Sequence, residues 1–324
     1  AGLLFDNKIV DIANSAKVLG LDTEVKMADL LKNWDNTLDV AQKIEQAFKE
    51  NQVEVENQDE LTMLAPVPHP TSCRDGYAFR QHVSTARRNR GLEMIPEFDE
   101  FPVFYFTNHN SIIGEGNLLV EKDHLKSLDF ELETAIVIAK QCKNVEAKDA
   151  DQYIAGYTIM NDFSARVLQM EEMKLNLGPA KGKDFATAIG PYLVTPDELE
   201  EYKISTPEGD KYDLVMKAFH NGKEVSNGNM KDMNWSYAQL IERASYGVTL
   251  YAGDVIGSGT VGTGCYLELN GTNTLNAKEK GETFTPVWLQ EGDSIDLEVT
   301  GLGKLSHKIV RSEIDHSILE KKKI

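Results

Sequence analysis

The chain has 324 residues, 41% of them hydrophobic, enough for one large domain with a real core and a small one beside it. With 34 basic against 52 acidic side chains the net charge is −18, which argues against nucleic acid as the main partner. Cys73, Cys142 and Cys265 are too few and too scattered for a disulfide framework or a thiolate zinc site. No apolar run is long enough to span a bilayer and no signal-peptide pattern opens the chain, so a soluble, cytoplasmic protein is expected. Ala1, not Met, comes first, which reads as a start inside a longer gene product.

Residues 3–12 predict strands with a turn at Asp6-Asn7, and 27–34 and 38–48 predict helices separated at Asp35-Asn36. The proline-marked stretch 64–70 is the expected boundary between a small N-terminal domain, 1–64, and a catalytic domain, 65–324. From there to about 117 the chain reads as irregular, with a helix over 82–90. Residues 128–160 predict two strands around 148–152, and 162–173 and 235–246 predict helices. Strands are then expected through 299, and Glu320-Lys321-Lys322-Lys323 reads as a frayed, solvated tail.

Residues 128–138 alternate acidic and apolar side chains and then turn β-branched, the pattern of a strand. Glu131 and Glu133 therefore share a face, and two adjacent carboxylates repel unless a cation or a proton intervenes. A hard cation held by oxygens answers this economically; a half-exposed strand with a solvated acidic face is the plain alternative. Asp129 has the same parity and either joins the group or sits at its rim. Asp162 stands where a strand runs into a helix, with Arg166 and Gln169 at i+4 and i+7. Either Asp162 caps the helix and pairs with Arg166, or it is a third carboxylate for the cation, with Arg166 and Gln169 aimed at an anion.

Five of the eight arginines fall between residues 74 and 90. Their planar forks suit a substrate carboxylate, an ion-pair network or a subunit contact. His82, inside this stretch, is a candidate general base or a structural histidine. Gly257, Gly259 and Gly262 satisfy G-x-G-x-x-G, but a strand-like run follows where a dinucleotide fold needs a helix, so the glycines are read as letting the backbone pass close to a ligand or turn sharply.

Taken in order, the motifs resemble the fumarylacetoacetate hydrolase family over residues 64–305. They are Asp75-x-Tyr77 with Arg80-Gln81-His82, then Leu128-Asp129-Phe130-Glu131-Leu132-Glu133, then Asn161-Asp162-Phe163-Ser164-Ala165-Arg166 with Gln169. Gly178-Pro179, Gly182-Lys183-x-Phe185-x-Thr187, Gly257-Ser258-Gly259-Thr260 and Leu267-Glu268-Leu269 complete the set.

The resemblance implies an α+β fold, a mixed β-roll with a small N-terminal domain, usually dimeric. It implies Mg²⁺ or Ca²⁺ bound by Asp75, Glu131, Glu133 and Asp162, and a His82 oriented by Glu268 that takes a proton from water. Hydroxide then attacks a carbonyl of a 1,3-diketo acid and the C–C bond breaks. Lys183, Arg166 and Gln169 support the developing charge, and Tyr77, Tyr105, Thr187 and Thr260 approach the substrate. Gly91 stands where the family has an arginine for the distal carboxylate, so Arg90 or Arg87 takes that place. One extra residue lies between Gln169 and Gly178, with Met173 or Lys174 near the place of a family tyrosine. The implied activity is a fumarylacetoacetate- or acylpyruvate-type hydrolase. A hydratase, decarboxylase or tautomerase acting on a related 2-oxo acid is the alternative enzyme, and a non-catalytic metal-stabilised scaffold the alternative class.

Overall fold

The computed structural model describes residues 1–321. Its centre is a seven-stranded mixed sheet in the order Phe104–Thr107, Cys73–Gly76, Val255–Gly257, Leu132–Ile138, Ile154–Asp162, Thr187–Val194, Ile112–Ile113. A five-stranded sheet packs on it, in the order Lys223–Asn229, Val215–His220, Ser294–Val299, Gly303–Arg311, Gly116–Val120. Each sheet mixes parallel and antiparallel pairs, giving the expected α+β roll.

The Leu132–Ile138 and Ile154–Asp162 strands are buried at every residue, as interior strands must be when both faces are covered. Alternate side chains feed two cores. Leu132, Ile136 and Ile138 join Tyr157, Ile159, Met216, Leu297 and Leu305 between the sheets. Ala135 and Val137 join Cys73, Met160, Ile189 and Val255 on the opposite face, closed by Leu31, Ala65 and Val67. The N-terminal hairpin turns at Asp6 and Asn7, both in the left-handed region, and packs with its helices around Val10, Leu30, Val40 and Ile44. Leu31 nevertheless inserts into the neighbouring core. We propose a domain division at about residue 64.

Several expectations change. The N-terminal helices, Met27–Lys32 and Trp34–Lys49, break at Asn33 and not at Asp35-Asn36. The stretch read as irregular contains the Cys73–Gly76 strand, which is only four residues long but wholly buried. Its helix is Arg80–Arg88. The acidic strand is interrupted: Leu128–Asp129 pairs with Ser164–Ala165, and the main strand starts at Leu132. Asp162 ends a strand and the helix begins only at Arg166, so helical spacing does not relate the two.

The largest change is at Tyr266–Glu279, expected as strand and found as a fourteen-residue helix. The stated ground for rejecting a dinucleotide site therefore fails, but a better one replaces it. An added Cβ at Gly257, Gly259 or Gly262 would lie 2.5 Å from Asp75 Oδ1, 2.6 Å from Gly76 O and 2.5 Å from the Gln81 side chain respectively. Neighbouring parts of the chain fill the space a pyrophosphate would need. At the C-terminus Leu319–Lys321 forms a short 3-10 turn and Glu320 lies 3.2 Å from Lys122, so that part is not frayed; Lys322 and Lys323 fall outside the described residues.

Candidate metal and proton-transfer site

Asp75, Glu133 and Asp162 converge because the sheet puts them on one face, and Glu131 joins them from the break just before Leu132. Asp75 and Asp162 are two residues beyond the core residues Cys73 and Met160, and Glu133 and Glu131 precede Ala135 at the same parity. One carboxylate oxygen from each of the four lies within 4.8 Å of the others, and all four residues are buried. Register adds two neighbours: Tyr105 pairs with Asp75 and Thr187 with Asp162. Tyr105 donates its hydroxyl to Asp162 Oδ2, and Thr260 donates to Glu133 Oε1 at 3.2 Å. Thr187 Oγ1 lies 3.3 Å from Thr107 Oγ1. Gly257 lacks a side chain at the point where one would strike Asp75.

Two cations meet these acids. Lys183 donates to Glu131 Oε2 and Asp162 Oδ2. Arg166 donates to Asp129 at 2.8 Å, to Glu131 at 2.8 Å and to Gln169 Oε1 at 3.0 Å. Arg166 and Gln169 thus do share a face, but the guanidinium is occupied by carboxylates on the sheet. Burial pushes Glu131 up, yet Lys183 and Arg166 outweigh it and hold its carboxyl down at about 2. Burial and the charge of Asp162 push Asp75 up to about 7, and burial with the charges of Asp75 and Glu131 pushes Glu133 well up. Lys183 is raised in spite of burial by Asp162 and Glu131, so its ammonium persists.

Glu133 Oε2 and Asp162 Oδ1 are buried with no hydrogen-bond partner. Unsatisfied buried carboxylate oxygens are costly, and a cation satisfies them. An all-oxygen donor set of this kind suits Mg²⁺, Ca²⁺ or Mn²⁺. The residues present therefore fit a hard divalent ion.

Beside this cluster, His82 Nδ1 lies 2.7 Å from Glu268 Oε2, both side chains buried. Tyr77 sets its ring edge against the imidazole at 6.0 Å. The two helices are fastened together by Asn89, whose amide donates to Glu268 O at 2.9 Å. Asp129 is neither ligand nor rim: it accepts the backbone N–H groups of Tyr266 (2.7 Å) and Leu267 (2.9 Å) and so caps the helix carrying Glu268. Sequence reading missed Asn89, hidden among the arginines, and the role of Asp129, whose partner lies 137 residues away.

The arginine group disperses. Arg74 is buried, 3.5 Å from Asp254 and stacked over Phe106. Arg80 pairs with Asp99 on the surface. Arg87 donates to Glu93 O, Arg88 to Thr272, and exposed Arg90 to Ala86 O. Burial pushes the Tyr77 hydroxyl up, and the charge of Arg90 works against that rise. Met173 is exposed at the end of its helix, and Lys174 follows it.

The family model described as fumarylacetoacetate (FAA) hydrolase, C-terminal, matches residues 71–310. The chain belongs to the fumarylacetoacetate hydrolase family. It is 32% identical over 257 residues to the oxaloacetate tautomerase YisK of Bacillus subtilis, covering 77% of this chain and 73% of that one. To the human mitochondrial oxaloacetate tautomerase FAHD2A it is 30% identical over 287 residues, covering 88% and 79%. A Sphingobium maleylpyruvate hydrolase solved with manganese(II) and pyruvate shares the fold, with a TM-score of 0.66, 20% identity and 96% coverage of both chains. The family is one of enzymes, and tautomerases stand beside hydrolases among these similar proteins. Among the described residues no helix is long and apolar enough to cross a membrane.

Proposed function

We propose that the chain is a metal-dependent enzyme that moves a proton at the carbon between two carbonyl groups of a small 2-oxo acid, an oxaloacetate-type keto–enol tautomerase. The buried His82–Glu268 pair beside a four-carboxylate cluster supports proton transfer, and the likeness to two oxaloacetate tautomerases favours this reading over hydrolysis. Asp75, Glu131, Glu133 and Asp162 would hold the ion, Mg²⁺ or Ca²⁺. When bound, the ion supplies positive charge that favours the enolate form of the substrate.

The remaining steps belong to the chain. Glu268 holds His82 through Nδ1 and leaves Nε2 to take a proton from the enol oxygen and return it to carbon, or the reverse. One O–H is exchanged for one C–H and nothing is released. The Lys183 ammonium faces the charge that appears on oxygen, and Arg166 with Gln169 keeps Glu131 in place. Tyr77, Thr187 and Thr260 line the approach, Tyr105 steadies Asp162, and Arg90 reaches for a distal carboxylate. A cytoplasmic homodimer completes the proposal.

Hydrolysis is the second reading, favoured by the same dyad: an oriented imidazole can also draw a proton from water. The C–O bond forms at a carbonyl, the C–C bond breaks, and its electron pair leaves as an enolate that is then protonated. An assay of enol-oxaloacetate and a panel of acylpyruvates, each with Mg²⁺ and with chelator, separates the two. The tautomerase reading expects metal-dependent loss of the oxaloacetate enol signal with no carboxylic acid released. A higher kcat/KM for cleaving an acylpyruvate would replace it with hydrolysis, and activity indifferent to chelator would remove both.

A further inference from the structure

His82, Cys265 and Glu268 present a nitrogen, a sulfur and a carboxylate oxygen within 4.8 Å of one another, and all three residues are buried. This donor set differs in kind from the all-oxygen cluster. Zn²⁺ takes nitrogen, sulfur and oxygen together in tetrahedral sites, often from three protein ligands with the fourth position open, whereas Mg²⁺ and Ca²⁺ keep to oxygen. The three donors also sit on held elements. Cys265 immediately precedes the Tyr266–Glu279 helix, Glu268 lies in its first turn, and Asp129 pins that end. His82 comes from the Arg80–Arg88 helix, which Asn89 fastens to Glu268.

We infer that His82, Cys265 and Glu268 form a second metal site, one for Zn²⁺ or a like thiophilic ion, whose occupation stops catalysis by engaging the base. The inhibitory half rests on the proposed role of His82; the binding half does not. Binding expels the thiol proton and the proton between His82 and Glu268, both to solvent. Burial pushes the Cys265 thiol well up, so alone it is inert, and an entering cation is what ionises it.

Cobalt(II) is the probe, added to the full chain already saturated with Mg²⁺. One equivalent should produce a sulfur-to-cobalt absorption in the near ultraviolet that Zn²⁺ abolishes and that Cys265→Ser, or Cys265→Ala as the second variant, removes. Zn²⁺ inhibition, scored against each variant's own uninhibited rate, should weaken at least tenfold in the same variants. No band in the unaltered chain, or a band that survives loss of Cys265, overturns the site. A Cys265-dependent band with full turnover supports the site and overturns the role of His82 as base.

Discussion

At the scale of single residues, the assignment of proton transfer turns on His82. His82→Ala should lower turnover by roughly 10²–10⁴-fold, the range of a lost general base, while calorimetric titration shows Mg²⁺ binding unchanged. Full activity in that variant would remove the imidazole from the chemistry. Gly257 offers a test of the cluster that replaces none of its carboxylates. An alanine there sets a carbon 2.5 Å from Asp75 Oδ1 and 2.8 Å from the Met160 sulfur, too close for either to stay. Gly257→Ala should weaken divalent-ion binding by about tenfold or more, as losses around a ligand shell do. Unchanged affinity would show that Asp75 can move without loosening the ion.

Elements carry the next level, and the Tyr266–Glu279 helix shows it best. Its start is held by Asp129, which also binds Arg166, so one carboxylate fixes both the helix bearing Glu268 and the arginine gripping Glu131. Asp129→Ala should cost stability toward the ~3–5 kcal/mol of a broken buried ion pair, read as a lower urea midpoint, and should lower turnover as well. A loss under about 1 kcal/mol would make the helix self-supporting. The same element explains what sequence could show. Glu131, Glu133 and Asp162 were legible because parity and strand ends place side chains directly. The helix was not, since Tyr266-Leu267-Glu268-Leu269 alternates like a strand and its cap comes from a distant residue. The Cys73–Gly76 strand was equally hidden, because four residues carry too little periodicity to register. Family motifs supplied Asp75 and the pairing of His82 with Glu268, which no local pattern indicates.

At the scale of the whole molecule, the second sheet contributes stability that depends on pH. His307 on the Gly303–Arg311 strand is buried, bonded to Gly114 O at 2.9 Å through Nε2, with Nδ1 unpartnered. Burial holds its imidazole down at about 4, below its ordinary value of 6.5. The unfolded chain therefore binds the proton first as pH falls, and stability is lost from about pH 6.5 toward pH 4. Between pH 7 and pH 5 the unfolding free energy from urea titration should fall by on the order of 2 kcal/mol more than in His307→Gln. Equal slopes would mean that His307 stays solvated.

The carboxylate cluster is completed by a late segment of the chain: the Val255–Gly257 strand lies between the strand of Asp75 and that of Glu133, and the backbone of Gly259 donates to Asp75 across 184 residues. A nascent polypeptide must therefore extend past Gly259 before Asp75 can be seated against the other three acids. Until then the set holds three carboxylates and lacks the fourth. Full-affinity metal uptake would mark a late stage of assembly, so a product terminated before Val255 should hold the ion more weakly, however well its first strands have formed.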